Sequence, residues 1–303
     1  MTKVFIDGSA GTTGLRIRER LSERKDVELI TLDDALRKEV SARRDALNGA
    51  DVAFLCLPDD AARESAGLVE NPATVVIDTS TAHRTNDDWT YGFAELTGMR
   101  ERIRRSKRIA NPGCHASGFI ALVAPLVERG LIGRDALLTA YSLTGYSGGG
   151  KKMISQYESA GSDNGGRQYA LTQSHKHLPE MMKMCNLKRA PVFSPVVVPH
   201  YSGMQTVVML NSSGAKLDEI RNCYMEYYSS SRVVRFSENQ SDGAFISSMS
   251  LAMRDDMTVS AYGNDERIVL VSLFDNLGKG ASGAAIQNMN IAIGCDETQS
   301  LNL

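Results

Sequence analysis

The stretch NPGCHASG, residues 111–118, sets a cysteine directly after a Pro-Gly turn and at the start of an apolar helical run. A cysteine in the first turn of a helix lies at the positive end of the helix dipole, which favours the reactive thiolate. Cys114 is therefore a candidate nucleophile, the competing reading being a small buried hydrophobe. Cys56, inside the apolar run DVAFLCL, takes that second reading, as do Cys223 and Cys295, while the position of Cys185 favours neither. His115 either assists its neighbour or faces solvent. A second group lies in SHKHLPEMM, residues 174–182. Pro179 and Glu180 read as a first helical turn, so His175 and His177 precede or cap a helix. One of the two suits general acid–base work, with a surface or capping role as the alternative.

A third constellation is DGSAGTTG, residues 7–14, between an apolar run and a helical one. Gly8, Gly11 and Gly14 depart from the strict GxGxxG dinucleotide spacing, but the physical logic is retained. Glycines let the backbone approach a pyrophosphate, and a helix N-terminus offers N–H groups and positive potential. Ser9, Thr12 and Thr13 add hydroxyl donors. No GK[ST] follows, which argues against a P-loop kinase. Asp33, about nineteen residues beyond Gly14, matches an acid that accepts from a ribose 2′-hydroxyl and disfavours a 2′-phosphate. Arg37 and Lys38 lie one turn further on, so NAD versus NADP stays open on these residues.

These groups need a scaffold, and 303 residues with 42% hydrophobic content are enough for two domains. A formal net charge of −2 argues against an electrostatic nucleic-acid binder. The basic run MRERIRRSKR, residues 99–108, reads as a solvated helix or turn. No signal-peptide pattern opens the chain, and the longest apolar run, DVAFLCLP, is too short to span a bilayer. Five scattered cysteines with no CxxC pair argue against a metal site or disulfide framework and fit a reducing cytoplasm.

Apolar runs at residues 3–8, 27–32, 51–57 and 74–80 alternate with helical patterns at 15–24, 33–49 and 59–70. That alternation predicts an α/β, doubly wound parallel-sheet (Rossmann-like) domain. Beyond residue 136 strand-like runs dominate (SPVVVPH, QTVVMLN, RVVRF, MTVSA, RIVLVSLF) around one helix, KLDEIRNCYMEYY. This predicts an α+β domain with helices on one face of a mixed or antiparallel sheet. The helix starting near Cys114 is expected to kink at Pro125, and the small-residue tail GKGASGAAIQNMNIAIG reads as helical.

In this order GSAGTTG, LCLPDDAA, DTSTAHR, NPGC, HKHLPE and FDNLGKGASGAAIQNMN span residues 7 to 290. Together they resemble the N-acetyl-gamma-glutamyl-phosphate reductase family in its shorter form, kin of aspartate-semialdehyde dehydrogenase. The resemblance implies that the Cys114 thiolate attacks an acyl phosphate and releases inorganic phosphate, and that NADPH reduces the resulting thioester to the semialdehyde. It implies His177 as acid–base with His175 orienting substrate, or the reverse. It further implies Pro58, Ser80 and Asn276 near the nicotinamide, Arg84 gripping substrate phosphate or carboxylate, and NADP as cofactor. Lys151 and Lys152 are either anion contacts or solvated. The implied domains are 1–113 with 276–303 for the dinucleotide, and 114–275 for substrate and assembly into a homodimer or homotetramer. Rival readings are a related reductase acting on aspartyl or N-acetyl-aminoadipyl phosphate, a non-catalytic NADP-binding sensor, and a cysteine hydrolase.

Overall fold

Each short apolar run of the first third becomes a strand, and those within 51–57 and 74–80 are buried on both faces. In the computed structural model, which describes residues 1–161, 165–211 and 214–303, these elements are β1 (Thr2–Asp7), α1 (Thr12–Ser22), β2 (Val27–Ile30), α2 (Val40–Gly49), β3 (Val52–Leu55), α3 (Asp59–Gly67), β4 (Val75–Asp78), β5 (Thr90–Tyr91), α4 (Met99–Arg105) and β6 (Arg108–Ala110). The strands form one sheet in the order β2-β1-β3-β4-β6-β5, and every pair in it is parallel. Its core includes Phe5, Ala53, Leu55 and Val76 with Leu47 and Trp89. The helix expected over 33–49 occupies only its second half. Residues 33–38 form turns in which Leu36 N–H donates to Asp33 and Glu39 N–H to Leu36. Residues 33–40 are exposed, so a helix there would have no apolar face to bury.

The second unit begins with α5 (Cys114–Glu128) and continues through β7 (Thr139–Gly145), α6 (Gly150–Ala160), β8 (Arg167–Gln168), α7 (Leu178–Met184), β9 (Val192–Val198), β10 (Met204–Asn211), α8 (Leu217–Tyr227), β11 (Val234–Phe236), β12 (Met257–Asn264) and β13 (Arg267–Phe274). Its sheet runs β11-β12-β13-β10-β7-β9-β8. The pairs β7/β9 and β11/β12 are parallel and the rest antiparallel, so the sheet is mixed. The chain then enters α9 (Gly283–Ile293), which groups with the first unit. The two units comprise residues 1–113 with 281–301, and 114–280 with 302–303. Residues 276–280 thus fall in the second unit.

Helix α5 runs through Pro125 without a break. Proline has no N–H for the carbonyl four residues back, here Ala121, and α8 and its flank make up the loss. The Tyr228 hydroxyl donates to Ala121 O at 2.7 Å, and the Tyr224 hydroxyl donates to Leu122 O at 2.6 Å. Tyr228 is buried, so Tyr228→Phe leaves the Ala121 carbonyl without a donor. Urea unfolding of that variant is expected to show a loss of about 1–3 kcal/mol.

Candidate active site

The first-turn position of Cys114 is set by α5 itself, whose residues from His115 to Leu126 are all buried. Cys114 stays partly exposed. Segment 275–280 packs on it: a Cβ built on Gly280 would stand 2.9 Å from the Cys114 Cβ. Buried Asp275 shapes that segment, its Oδ1 accepting from the Leu277 and Gly278 N–H groups and its Oδ2 from Met253. Asn276 is buried beside it, donating to Ser147 Oγ and accepting from Gly203 N–H, both at 3.0 Å. Lys279 in the same segment is also buried.

His115, next to Cys114 in the chain, stands with two further histidines. The segment that carries those two is docked on β9 by an amide pair. Gln173 Nε2 donates to Phe193 O, and Phe193 N–H donates to Gln173 Oε1, both at 2.8 Å. That clamp holds Gln173 at φ +56°, a left-handed conformation rare outside glycine. His177 is the N-cap residue of α7, with Pro179 in the first turn. Its N–H donates to His175 Nδ1 at 3.1 Å, and its Nε2 lies 3.9 Å from Oε1 of buried Glu180. The rings of His175 and His177 meet edge to face at 4.6 Å, and the His115 ring lies 5.4 Å from the first and 5.7 Å from the second.

His115 does not face solvent. It is 2% exposed, with Nδ1 at 2.9 Å from Ser142 Oγ and Nε2 at 2.6 Å from the Tyr169 hydroxyl. Burial pushes its pKa down to about 3, so the ring is neutral at physiological pH. Burial pushes the Tyr169 phenol up, and the Cys114 sulphur adds to that. Of the remaining cysteines, Cys185 and Cys223 are buried while Cys56 and Cys295 are partly covered. Burial raises Cys56 to about 12 and Cys223 to about 11.

In the first unit, Gly8 turns the chain at φ +91°, and a Cβ there would lie 2.3 Å from the Cys56 carbonyl oxygen. A Cβ on Gly14 would lie 2.5 Å from Gly8 O. Gly11 is the N-cap residue of α1 and supplies no side-chain cap, and Thr12 and Thr13 form the first turn. This close-packed turn opens on a cavity of about 310 Å³ lined by Gly8, Ser9, Leu57, Arg18, Arg37 and Lys38 among others. The shape and the basic side chains fit a dinucleotide. Strand β2 ends at Ile30, leaving Asp33 on an exposed turn and outside the lining of that cavity.

The other expected positions are spread more widely. Pro58 is exposed at the N-cap of α3. Ser80 gives its hydroxyl to Asp78 Oδ2 at 2.8 Å, an oxygen that also lies 2.7 Å from His83 Nδ1. Arg84 is held by backbone carbonyls. It is buried, donating to Asn111 O at 2.9 Å and Thr79 O at 3.0 Å. Lys151 and Lys152 are exposed on α6. Glu180 and Tyr169 were not singled out from sequence. The three-residue spacing of His177 and Glu180 on a helix start was a readable signal, whereas Tyr169 reaches the site only through strand pairing. Among the described residues, no group of three His, Cys, Asp or Glu side chains is placed to hold a metal ion.

The comparisons follow this division of the chain. Residues 3–106 match a family described as semialdehyde dehydrogenase, NAD binding domain, and residues 114–276 one described as semialdehyde dehydrogenase, dimerisation domain. The fold is also that of aspartate semialdehyde dehydrogenase II from Vibrio cholerae complexed with ASA, with a TM-score of 0.72 at 15% identity over 97% of this chain and 98% of that one. For aspartate semialdehyde dehydrogenase with NADP from Candida albicans the TM-score is 0.71 at 17% identity, covering 97% and 99%. Fold and site thus define a semialdehyde dehydrogenase-type chain. Relatives named N-acetyl-gamma-glutamyl-phosphate reductase are 44% identical in Brucella anthropi and 43% in Sinorhizobium medicae, each match covering 96% of this chain and 98% of the relative. The chain belongs to the N-acetyl-gamma-glutamyl-phosphate reductase family.

The buried imidazole of His115 makes stability depend on pH. In the unfolded chain it takes up a proton at about 6.5, in the folded one only near 3. Between those values the unfolded state binds more protons, so stability rises with pH across the window. Going from pH 7 to pH 5 is expected to remove about 2 kcal/mol through this residue. Urea midpoints should fall accordingly, and less steeply in His115→Phe.

Proposed function

We propose that this chain reduces N-acetyl-L-glutamyl 5-phosphate to N-acetyl-L-glutamate 5-semialdehyde with NADPH, releasing inorganic phosphate, a step of arginine biosynthesis. The observation that carries the reading is the first-turn cysteine of α5, whose chain neighbour His115 stands within 6 Å of His175 and His177, the latter beside Glu180. The near full-length similarity to reductases of that name supports the substrate.

Cys114 is the nucleophile. Its sulphur bonds to the acyl carbon as the carbon–oxygen bond to phosphate breaks, leaving a thioester and free phosphate. NADPH, when bound, supplies the hydride for the reduction of that thioester. Gly8, Gly11 and Gly14, with Ser9, Thr12 and Thr13, would hold its pyrophosphate at the start of α1. Pro58, Ser80 and Asn276 are assigned to its nicotinamide end by their motifs. His177 takes the acid–base role, its Nε2 standing 3.9 Å from the Glu180 carboxylate. It takes the thiol proton and returns one as the carbon–sulphur bond breaks. His175 accepts the His177 N–H through Nδ1, so its neutral form carries a proton on Nε2 and is suited to orient substrate. Arg84 serves by fixing the Thr79 and Asn111 carbonyls.

The chain acts as a homodimer or homotetramer through its second unit, supported by that unit's match to a dimerisation domain. Five cysteines without a disulfide support a cytoplasmic setting.

With N-acetylglutamate semialdehyde, phosphate and NADP, the purified protein is expected to form NADPH. Cys114→Ser should lower the rate by at least about 10³-fold. Turnover with aspartate semialdehyde in place of the acetylated substrate would move the chain to the sister reaction. Cofactor choice is set by Arg37 and Lys38 at the cavity rim. Fluorescence titration of Arg37→Ala/Lys38→Ala should show NADPH affinity falling about tenfold or more while NADH affinity is unchanged.

A further inference from the structure

Asn302 belongs to the second unit, where it is bound to the segment that precedes β12. Its carbonyl accepts from the Asp255 N–H at 2.7 Å, and its own N–H donates to Asp255 Oδ2 at 2.8 Å. Its side chain adds a third bond, Nδ2 donating to Met253 O at 3.0 Å. Asp255 is fully buried, so the segment is anchored at that point.

Met253 stands at φ +66°, a left-handed conformation that costs free energy for a residue with a side chain. Its side chain is 51% exposed, so packing does not hold it there. Hydrogen bonds grip it at both ends instead. Its N–H donates to Asp275 Oδ2 at 2.7 Å, and its carbonyl takes the Asn302 amide. Asp275, also fully buried, is the next link. Its Oδ1 accepts from the Leu277 and Gly278 N–H groups at 2.9 and 2.8 Å, and its carbonyl accepts from the Gly280 N–H at 3.0 Å. These bonds close residues 275–280 into a compact turn. One side of the turn lies on Arg254, whose carbonyl occupies the space a Gly278 Cβ would take. Its far end lies on Cys114, where a Gly280 Cβ would come within 2.9 Å of the cysteine Cβ. An unbroken path of contacts therefore joins Asn302 to the cysteine.

We propose that Asn302 is a positioning residue for the nucleophile: it holds Met253 in its left-handed conformation, which seats Asp275 and keeps the 275–280 turn against Cys114. The inference rests on Cys114 being the nucleophile. Without the Asn302 amide, Met253 relaxes toward ordinary backbone angles and draws its N–H away from Asp275, and the turn lifts from the cysteine.

The test is Asn302→Ala in the whole chain. Asn302 is exposed and the substitution leaves both backbone bonds to Asp255 in place, so the variant is expected to fold. Turnover is measured with N-acetylglutamate semialdehyde, phosphate and NADP. Iodoacetamide alkylation without substrate is followed by mass spectrometry at the separate peptides of Cys114, Cys185 and Cys223. Losing one hydrogen bond is expected to lower kcat about fivefold and to raise the alkylation rate of Cys114 by about the same factor. The buried Cys185 and Cys223 should not change. Glycine adopts positive φ without cost, so Asn302→Ala/Met253→Gly should recover most of both losses, and Met253→Gly alone should alter neither. Unchanged kcat and Cys114 alkylation in Asn302→Ala would overturn the proposal. So would faster alkylation at all three cysteines, which marks general loosening, or a double variant that recovers nothing. Turnover retained in Cys114→Ser would instead sink the nucleophile assignment, and the alkylation rates would still report whether Asn302 holds the turn.

Discussion

The second unit depends on how closely α5 approaches its sheet. A Cβ on Gly118 would fall 2.4 Å from Thr206 Oγ1 and 2.8 Å from both Phe274 Cε1 and Ser272 Oγ. Only a residue without a side chain lets the helix backbone settle there, and the contact fixes the rotation of α5 about its axis. One turn before Gly118, Cys114 then meets Gly280 of the segment that follows β13. The burial of every side chain from His115 to Leu126 leaves the helix no alternative setting. A reactive group carried by so confined an element keeps its position without help from a flexible loop.

The same confinement separates the three histidines by environment. His115 has hydroxyl partners, and burial keeps its ring neutral. His177 has the buried Glu180 carboxylate at 3.9 Å. His175 is fixed as an acceptor at Nδ1 by the His177 N–H. Three rings within 6 Å of one another are thereby given different partners.

Local periodicity made most of this legible. The apolar runs at 3–8, 51–57 and 74–80 became parallel strands because their residues are apolar on both faces, and the tail helix from Gly283 was readable from its small residues. The start of α5 at Cys114 and the N-cap position of His177 followed from Pro-Gly and Pro-Glu turn chemistry. What escaped was set by pairing across the sheet. The environment of His115 depends on Ser142 and Tyr169, 27 and 54 residues away, and no local spacing announces them. Pro125 was read as a kink because a local rule cannot see the Tyr228 hydroxyl, 107 residues on, that serves the Ala121 carbonyl. The Asn111 carbonyl that accepts from Arg84, 27 residues away, lies equally outside any local rule.

The dinucleotide cradle shows why residue counts alone mislead. The GxxGxxG spacing works because its first and third glycines touch each other: the missing Cβ of Gly14 is the space that Gly8 O occupies, and Gly8 itself clears the Cys56 carbonyl on the neighbouring strand. That close approach is the property the stricter fingerprint encodes, reached here with one extra residue in the turn. The acid expected at the end of the second strand suffers the opposite fate. β2 stops at Ile30, and the three further residues carry Asp33 out to an exposed turn, while the residues after it return Arg37 and Lys38 to the cavity wall. An acid at a suitable count and a base at an unsuitable one thus exchange places once the strand ends early. The charge that a nucleotide's ribose would meet is positive.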